Sequence, residues 1–277
     1  MPTDILLFDI PTAYSGPNSP NTWRVRYVVR ISDSCLYLFY LETLRMALNY
    51  KGLNYRTQWV HSSEIEATCK PLGVLPTGVK PNGQPQYTLP AIIDRTDPSK
   101  PVILSDSIPI IEYLESAYPP APGTELFPEG TKAFQVLVVQ FVVIRLLTFV
   151  PKLAMNGMYR SKPPSERQNL RERKEAQFKK PLEDIEVKGA EREATWKELE
   201  QTMKFIQDAF DRNESGVFLM GHQVSCADFA LCATLIFFKD LSPDDLWAGI
   251  ASWDGGRWER YMDAFKDWRA VDNYPAP

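Results

Sequence analysis

The sequence predicts an α/β domain over residues 1–118 followed by an all-helical domain over residues 131–277, and three observations support this. Strand and helix patterns alternate as far as residue 118. A proline- and glycine-rich stretch, YPPAPGTELFPEG, follows at residues 118–130. Beyond it, long helical periodicities dominate and no convincing strand pattern occurs. Residues 119–130 are therefore predicted to link the two domains.

The first domain is predicted to have the element order βαβ…ββα. Short apolar or alternating runs predict four strands, in the segments DILLFDI, YRTQWV, YTLPAIID and PVILSD. A helix is expected to open at PNTWR, after the loop that follows the first strand. The segment SIPIIEYLESAY predicts a second, amphipathic helix after the last strand, with Ser107 as its N-cap.

Composition limits the classes of partner. Of the 277 residues, 44% are apolar and 24% charged, and the formal net charge is −4. Nucleic acids and anionic membranes are bound through basic faces, so neither is expected as the main partner. The most apolar run, residues 133–155, is interrupted by Gln140, Arg145 and Lys152. That pattern favours a buried bundle helix over a membrane span.

The cysteines and the first residues bear on the compartment. Cys35, Cys69, Cys226 and Cys232 have no metal-ligand spacing, so they are interpreted as reduced thiols, with neither a disulfide nor a metal site expected. The opening, MPTDILLFDIPT, lacks the basic region and the long apolar core of a secretion signal. Together these features predict a cytoplasmic protein.

Four separate motifs resemble those of the cytosolic glutathione transferases. They are the loop-to-helix turn SPNTWRVR, the Leu89-Pro90 step in YTLPAI, the Asp106-Ser107 pair in LSDSIPIIEYL, and the helix-capping motif GHQVSCADFAL. At finer grain, SPNTWRVR and SWDGGRW are similar to the fungal A class, which in turn resembles bacterial glutathione-dependent β-etherases. The resemblance implies a thioredoxin-like first domain, a homodimer, and a helical domain that supplies a site for a hydrophobic co-substrate.

The chemistry expected of such a protein is activation of the glutathione thiol, because the thiolate is the reactive form. Lowering a thiol pKa of about 8.5 by one to two units takes roughly 1.4–2.7 kcal/mol. One hydrogen bond to a charged acceptor, worth about 1.5–3 kcal/mol, is sufficient. The resemblance gives this role to Ser19, with the amide of Asn21 as the alternative donor. The purely structural alternative is a loop serine followed by an asparagine N-cap.

Further positions are expected to hold glutathione. By resemblance, Leu89, which precedes the family's cis-proline at Pro90, presents its backbone to the cysteinyl residue like an added strand. Ser107 at a helix N-terminus suits the γ-glutamyl carboxylate, and Asp106 would pair with the α-amino group. The cation for the glycyl carboxylate is left open among Lys80, Arg24 and Lys51.

Two functions remain open at this point. The first is an enzyme that conjugates small hydrophobic electrophiles with glutathione, or that uses glutathione to cleave aryl ethers and related bonds. The second is a non-catalytic or weakly catalytic ligand-binding or regulatory relative. The pair Ser225 and Asp228 in the fourth motif predicts a capping box, whose role is in folding.

The segment Tyr27–Arg45 exceeds what the first helix needs. Joining Arg26 to Met46 would give NTWRVRMALNYKGL, a helix of ordinary length in which Val25 and Leu48 share one face. The segment between these two residues is therefore interpreted as an anomalous insertion.

Two origins are open for this insertion. A translated intron is one, because codons for residues 26–28 can contain GTATGT, a typical fungal splice donor. A codon for Arg45 can supply the terminal AG of an acceptor in the same phase. These features favour a translated intron over a genuine lineage-specific insertion. In either case a helix from Asn21 to about Arg30 is predicted, with the rest of the insertion extruded as an exposed apolar appendage.

Overall fold

A computed structural model describes residues 2–10, 40–80, 82–213 and 215–270. Among these residues, the first domain contains a four-stranded sheet, a short hairpin and three α-helices. Its strands are β1 (Ile5–Asp9), β2 (Tyr55–Trp59), β3 (Gly78–Val79), β4 (Pro85–Gln86), β5 (Ala91–Asp94) and β6 (Val102–Ser105). Its helices are α1 (Tyr40–Tyr50), α2 (Ile65–Cys69) and α3 (Ser107–Ala117).

The main sheet has the strand order β2-β1-β5-β6. Strands β1 and β2 run parallel, whereas β5 pairs antiparallel with both β1 and β6. This arrangement brings the last residues of β1, β2 and β6 to the same end of the sheet as the first residue of β5. The end marked by Asp9, Trp59, Ala91 and Ser105 is here called the upper edge. The prediction of a thioredoxin-like domain followed by a helical domain is confirmed.

Central strands of this sheet are covered on both faces and therefore consist almost entirely of buried residues. All four residues of β5 are buried, whereas the edge strand β2 alternates between half-buried and exposed positions. The four strands read from the sequence are confirmed. The hairpin β3–β4 was not predicted, because two-residue strands are too short to show a period.

Helix α1 begins at Tyr40, inside the segment interpreted as an insertion. Its residues from Glu42 to Leu48 are all buried. The expectation of an exposed apolar appendage is therefore wrong for residues 42–45, because Leu44 packs in the core and Arg45 pairs with buried carboxylates. The helix predicted from Asn21 to about Arg30 lies outside the described residues.

The second domain contains eight α-helices among the residues described. They are α4 (Lys132–Leu147), α5 (Val150–Leu153), α6 (Met155–Arg160), α7 (Pro164–Phe178), α8 (Gly189–Phe210), α9 (Cys226–Leu241), α10 (Ala248–Ser252) and α11 (Arg257–Asp263). Helix α9 forms its centre, since every residue from Cys226 to Phe238 is buried. It packs against α1 of the first domain and against α4.

The predicted capping box at the start of α9 is confirmed. The Asp228 carboxylate accepts bonds from the Ser225 N–H at 3.0 Å and the Ser225 hydroxyl at 2.6 Å. It also accepts from the Leu219 N–H at 2.8 Å and the Tyr261 hydroxyl at 3.0 Å. One buried side chain therefore fixes the helix start, the preceding loop and the C-terminal helix α11.

The stretch Lys132–Leu153 is long and apolar enough, by length and composition alone, to cross a membrane. Within its most apolar window, 41% is buried inside the protein. One side of α4 packs on α9. The opposite side carries the exposed residues Phe134, Leu137 and Phe141.

The end of the described chain returns to the first domain. The Asn49 side-chain amide, on α1, donates to the carbonyls of Trp268 at 2.7 Å and Ala270 at 3.0 Å. The Trp268 ring packs edge-on against Tyr50, with centroids 4.9 Å apart, and against Phe229 of α9 at 5.9 Å. The last residues thus join α1 to the centre of the helical domain.

Candidate active site

The Leu89-Pro90 peptide bond is cis, as predicted. Leu89 is fully buried and lies directly before β5, at the upper edge of the sheet. The Pro90 carbonyl accepts a hydrogen bond from the Asp106 N–H at 3.1 Å. The structure therefore brings together two segments that sequence analysis placed in one site.

The turn from β6 into α3 has an unusual backbone. Asp106 has φ 79° and ψ 135°, a conformation that residues other than glycine rarely adopt and that costs about 1–3 kcal/mol. Its carbonyl accepts the Ile110 N–H at 3.1 Å, and its N–H is held by Pro90. These two hydrogen bonds hold Asp106 in its strained conformation, and that conformation sets the direction in which α3 leaves the sheet.

Ser107 is the first residue of α3, not its N-cap. The N-cap is Asp106, which makes no side-chain capping bond, so the predicted cap is wrong by one residue. The Ser107 hydroxyl is buried and has no hydrogen-bond partner among the described residues. A buried polar atom without a partner costs about 1–3 kcal/mol. The N-terminus of an 11-residue helix favours an anion at this place.

Helix α1 starts at the same edge and is held there by a buried ion cluster. The Arg45 guanidinium pairs with Asp9 at the end of β1 and with Glu42, the latter at 2.7 Å. It also stacks over the Trp59 ring at the end of β2, 5.6 Å from the ring centroid. Arg45 thus fixes α1 against the ends of both parallel strands. Ser19 and Asn21 lie outside the described residues, so their role stays a prediction.

The three candidate cations for the glycyl carboxylate differ in their position and in their availability to a ligand. Lys51 is buried at the C-terminal end of α1, away from the upper edge, and pairs with Glu115 at 2.8 Å. It therefore cannot serve a ligand at that edge. Lys80 pairs with Glu66 of α2 at 2.7 Å and is half-exposed, which leaves it available. Arg24 lies outside the described residues.

A polar cavity of about 650 Å³ opens between the two domains where the chain leaves β2. The His61 imidazole Nδ1 lies 3.4 Å from the Glu166 carboxylate, which also accepts the Ser62 N–H at 3.2 Å. Apart from Leu170, the described residues that line this cavity are all polar: His61, Ser62, Ser63, Glu64, Lys162, Ser165, Glu166, Asn169 and Arg173. Sequence reasoning missed this site, because it joins segments that are far apart in the chain and carry no shared pattern.

A second cavity, of about 420 Å³, is apolar and lies between α4 and α8. It reaches Ala227 at the N-terminal end of α9. The C-terminal end of α9 lies instead near the start of α1: burial and the carboxylate of Glu42 raise the pKa of Asp240 to about 8. The apolar cavity is therefore at the opposite end of α9 from the start of α1 and the upper edge.

Two family models match the chain. The glutathione S-transferase N-terminal domain matches residues 40–117, and the glutathione S-transferase C-terminal domain matches residues 133–268. A curated relative, the glutathione S-transferase-like protein ustS of Aspergillus flavus, is 28% identical over 237 residues, 81% of this chain and 82% of that protein.

Two solved structures are similar over nearly the whole chain. The glutathione transferase GSTFuA3 of Phanerochaete chrysosporium is 31% identical, with a TM-score of 0.79 over 98% of this chain and 99% of that one. CsGST63524 of Ceriporiopsis subvermispora, solved in complex with glutathione, is 27% identical, with a TM-score of 0.76 over 97% and 99%.

Proposed function

Because the chain belongs to the glutathione S-transferase family, we propose that it is a transferase that activates the glutathione thiol against small, mostly aromatic substrates. The observation that carries the proposal is the arrangement at the upper edge of the sheet. There the cis Leu89-Pro90 step and the buried Ser107 hydroxyl are tied together through the Asp106–Pro90 hydrogen bond.

Glutathione binding follows from this arrangement. The γ-glutamyl carboxylate takes the place of the missing partner of Ser107 and benefits from the N-terminus of α3. Asp106 pairs with the α-amino group, and the backbone of Leu89 pairs with the cysteinyl residue. Two relatives were solved in complex with glutathione, which supports a site for the tripeptide in this family.

Thiol activation is assigned to Ser19, with Asn21 as the alternative. A hydrogen bond donated to the sulfur stabilises the thiolate and lowers its pKa. In conjugation, the sulfur electron pair forms a bond to an electrophilic carbon, and the leaving group departs with its bonding pair. With an aryl ether as substrate, the leaving group is a phenolate, as in a β-etherase.

The co-substrate is placed in the cavity between the domains, which adjoins the end of β2. Its polar lining favours a substrate that carries hydroxyl, carbonyl or carboxylate groups. His61 and Ser62 from the first domain and Arg173 from α7 are among the residues that line this cavity.

We place a second copy of the chain on the exposed apolar face of α4 and α8. Phe134, Leu137, Phe141 and Phe205 are each at least half exposed, and the Phe141 and Phe205 rings lie 5.5 Å apart. Contiguous exposed apolar side chains of this kind often mark a protein–protein interface. Phe141→Glu combined with Phe205→Glu is expected to give a monomer by light scattering. A parent that is already monomeric, or binds lipid vesicles through this face, contradicts the homodimer.

We assign the protein to the cytoplasm, where reduced glutathione is abundant.

The test of the proposed function is a conjugation assay together with calorimetric titration of glutathione. Ser19→Ala or Asn21→Ala is expected to lower the rate at least tenfold while glutathione still binds, and the sensitive position identifies the donor. Ser116→Ala, at the other end of α3, is the matched control. A parent that binds glutathione without turnover favours the alternative, a ligand-binding or regulatory relative, and a parent that does not bind it refutes both.

A further inference from the structure

Residues 40–45 form the first half of α1, and one of them joins the helix to the sheet. Arg45 is fully buried and pairs with Asp9 at the end of β1. Leu44, just before it, is fully buried in the core. A helix that lacked a cation at position 45 would leave the Asp9 carboxylate buried without this partner, which is strongly unfavourable.

A second place in the sequence has an apolar residue followed by arginine, as in Leu44-Arg45. Val25-Arg26, earlier in the chain, has the same apolar-arginine step as Leu44-Arg45. Without the segment Tyr27–Arg45, Arg26 directly precedes Met46 and occupies the position of Arg45. Each helical residue turns the chain by about 100°, so a slightly longer or shorter deletion would bring a different side chain to Asp9. The length of the segment therefore preserves the buried pair.

We propose that the codons for Tyr27–Arg45 are excisable from the transcript. In the resulting shorter chain, residues 21–26 replace the first half of α1, and an arginine still pairs with Asp9. In the full chain this pair is made by Arg45, and in the shorter chain by Arg26. The two halves also differ at buried positions: Trp23 replaces Glu42, and Arg24 replaces Thr43. Because these differences can change stability by themselves, each variant is compared with the unsubstituted chain of the same length.

The exchange changes which residues stand at the start of the helix. In the shorter chain Ser19 is two places before the first helical position, the place that Leu38 has relative to Tyr40 in the full chain. Asn21 likewise replaces Tyr40. This step depends on the proposed function, because it concerns the distance along the chain from Ser19, the proposed thiol activator, to the first helical position.

The structural claim is tested by thermal unfolding of both chains. In the full chain, Arg45→Met is expected to lower the Tm by about 10 °C, whereas Arg26→Met changes it by less than about 2 °C. In the shorter chain, Arg26→Met is expected to lower the Tm by about 10 °C. Asp9→Asn should weaken both parents.

A register control separates this claim from general tolerance to deletion. A chain that lacks Arg26 as well as the segment Tyr27–Arg45 brings Val25 to the position opposite Asp9. This control is expected to be less stable than the shorter chain by about 10 °C in Tm. The proposal is overturned if the shorter chain shows no cooperative transition, if Arg26→Met leaves it unchanged, or if the register control is equally stable.

The functional consequence has a separate readout. Ser19→Ala is expected to lower conjugation at least tenfold in the shorter chain. If Arg26→Met lowers the Tm of the shorter chain as expected but neither chain has conjugation activity, the helix exchange is supported and the enzymatic function is refuted. If Ser19→Ala leaves the activity of the shorter chain unchanged, Ser19 does not activate the thiol in that chain. Sequencing of cDNA should show transcripts without the codons for Tyr27–Arg45, and their complete absence refutes excision.

Discussion

Replacing Asp228 by asparagine is expected to remove a pH dependence of stability that this one carboxyl group creates. Asp228 is fully buried at the start of α9, and it accepts hydrogen bonds from Ser225, Leu219 and Tyr261. Burial outweighs these bonds and raises the pKa of the carboxyl group to about 6, from 3.8. The folded state therefore binds a proton in a range where the unfolded state has released it.

The sign and the size of the pH dependence follow from this difference in proton binding between the folded and unfolded states. Since the pKa is raised on folding, the stability contributed by the proton is complete below about pH 4 and is lost as the pH rises through about 6. A shift of about two units corresponds to about 3 kcal/mol in full. About 2 kcal/mol of it falls between pH 4.5 and pH 7.5.

The assay is urea unfolding at these two pH values, followed by circular dichroism. In Asp228→Asn the side chain carries no titrating proton, so the difference in unfolding free energy between parent and variant should change by about 2 kcal/mol across the range. Ser225→Ala keeps the carboxylate but removes a hydrogen bond that lowers its pKa, so the slope should persist and become no shallower, although losing the cap costs about 1 kcal/mol. An Asp228→Asn variant with the parental slope refutes the assignment. A parent that instead gains stability from this group with rising pH shows that the hydrogen bonds outweigh burial.

Three further predictions concern the glutathione site and the packing. Ser107→Ala should weaken glutathione binding about tenfold by calorimetry with no loss of Tm, because its hydroxyl has no described partner in the protein; equal weakening in Ser116→Ala would contradict this. Gly157→Ala should lower the Tm by about 10 °C, roughly 3 kcal/mol, since a Cβ there would lie 1.8 Å from the Leu241 carbonyl oxygen. An unchanged Tm would mean that α6 and α9 are not in such close contact. For Asp94, burial raises the pKa but bonds from Tyr118, Thr96 and Tyr113 outweigh it, so the pKa is lowered. Asp94→Asn should cost about 1–2 kcal/mol at pH 7 and reduce the loss of stability below about pH 4; a variant that loses as much stability as the parent over this pH range would disprove it.

Signals that lie within a few consecutive residues were sufficient for much of the fold. The strands, α3, the cis bond before Pro90 and the capping box of Ser225 and Asp228 each depend on a local pattern of side chains. The cap of α3 was misplaced, because the positive φ of Asp106 depends on its hydrogen bond to Pro90, which is distant in sequence.

The remaining errors concern contacts between distant segments. The burial of Arg45 depends on Asp9 and Trp59, which adjacent residues do not reveal. The polar cavity depends on Glu166 reaching His61 across the domain boundary. Four of the predicted glutathione-binding positions, Leu89, Pro90, Asp106 and Ser107, do lie together at the upper edge. Ser19 and Asn21 remain predictions.

The bonds from Asn49 to the carbonyls of Trp268 and Ala270 bear on biosynthesis. When the first domain leaves the ribosome, the segment that covers the C-terminal end of α1 has not been translated. The nascent first domain therefore keeps Tyr50 uncovered by Trp268 until the residues up to Ala270 have emerged, and its demand for chaperones should last until that point.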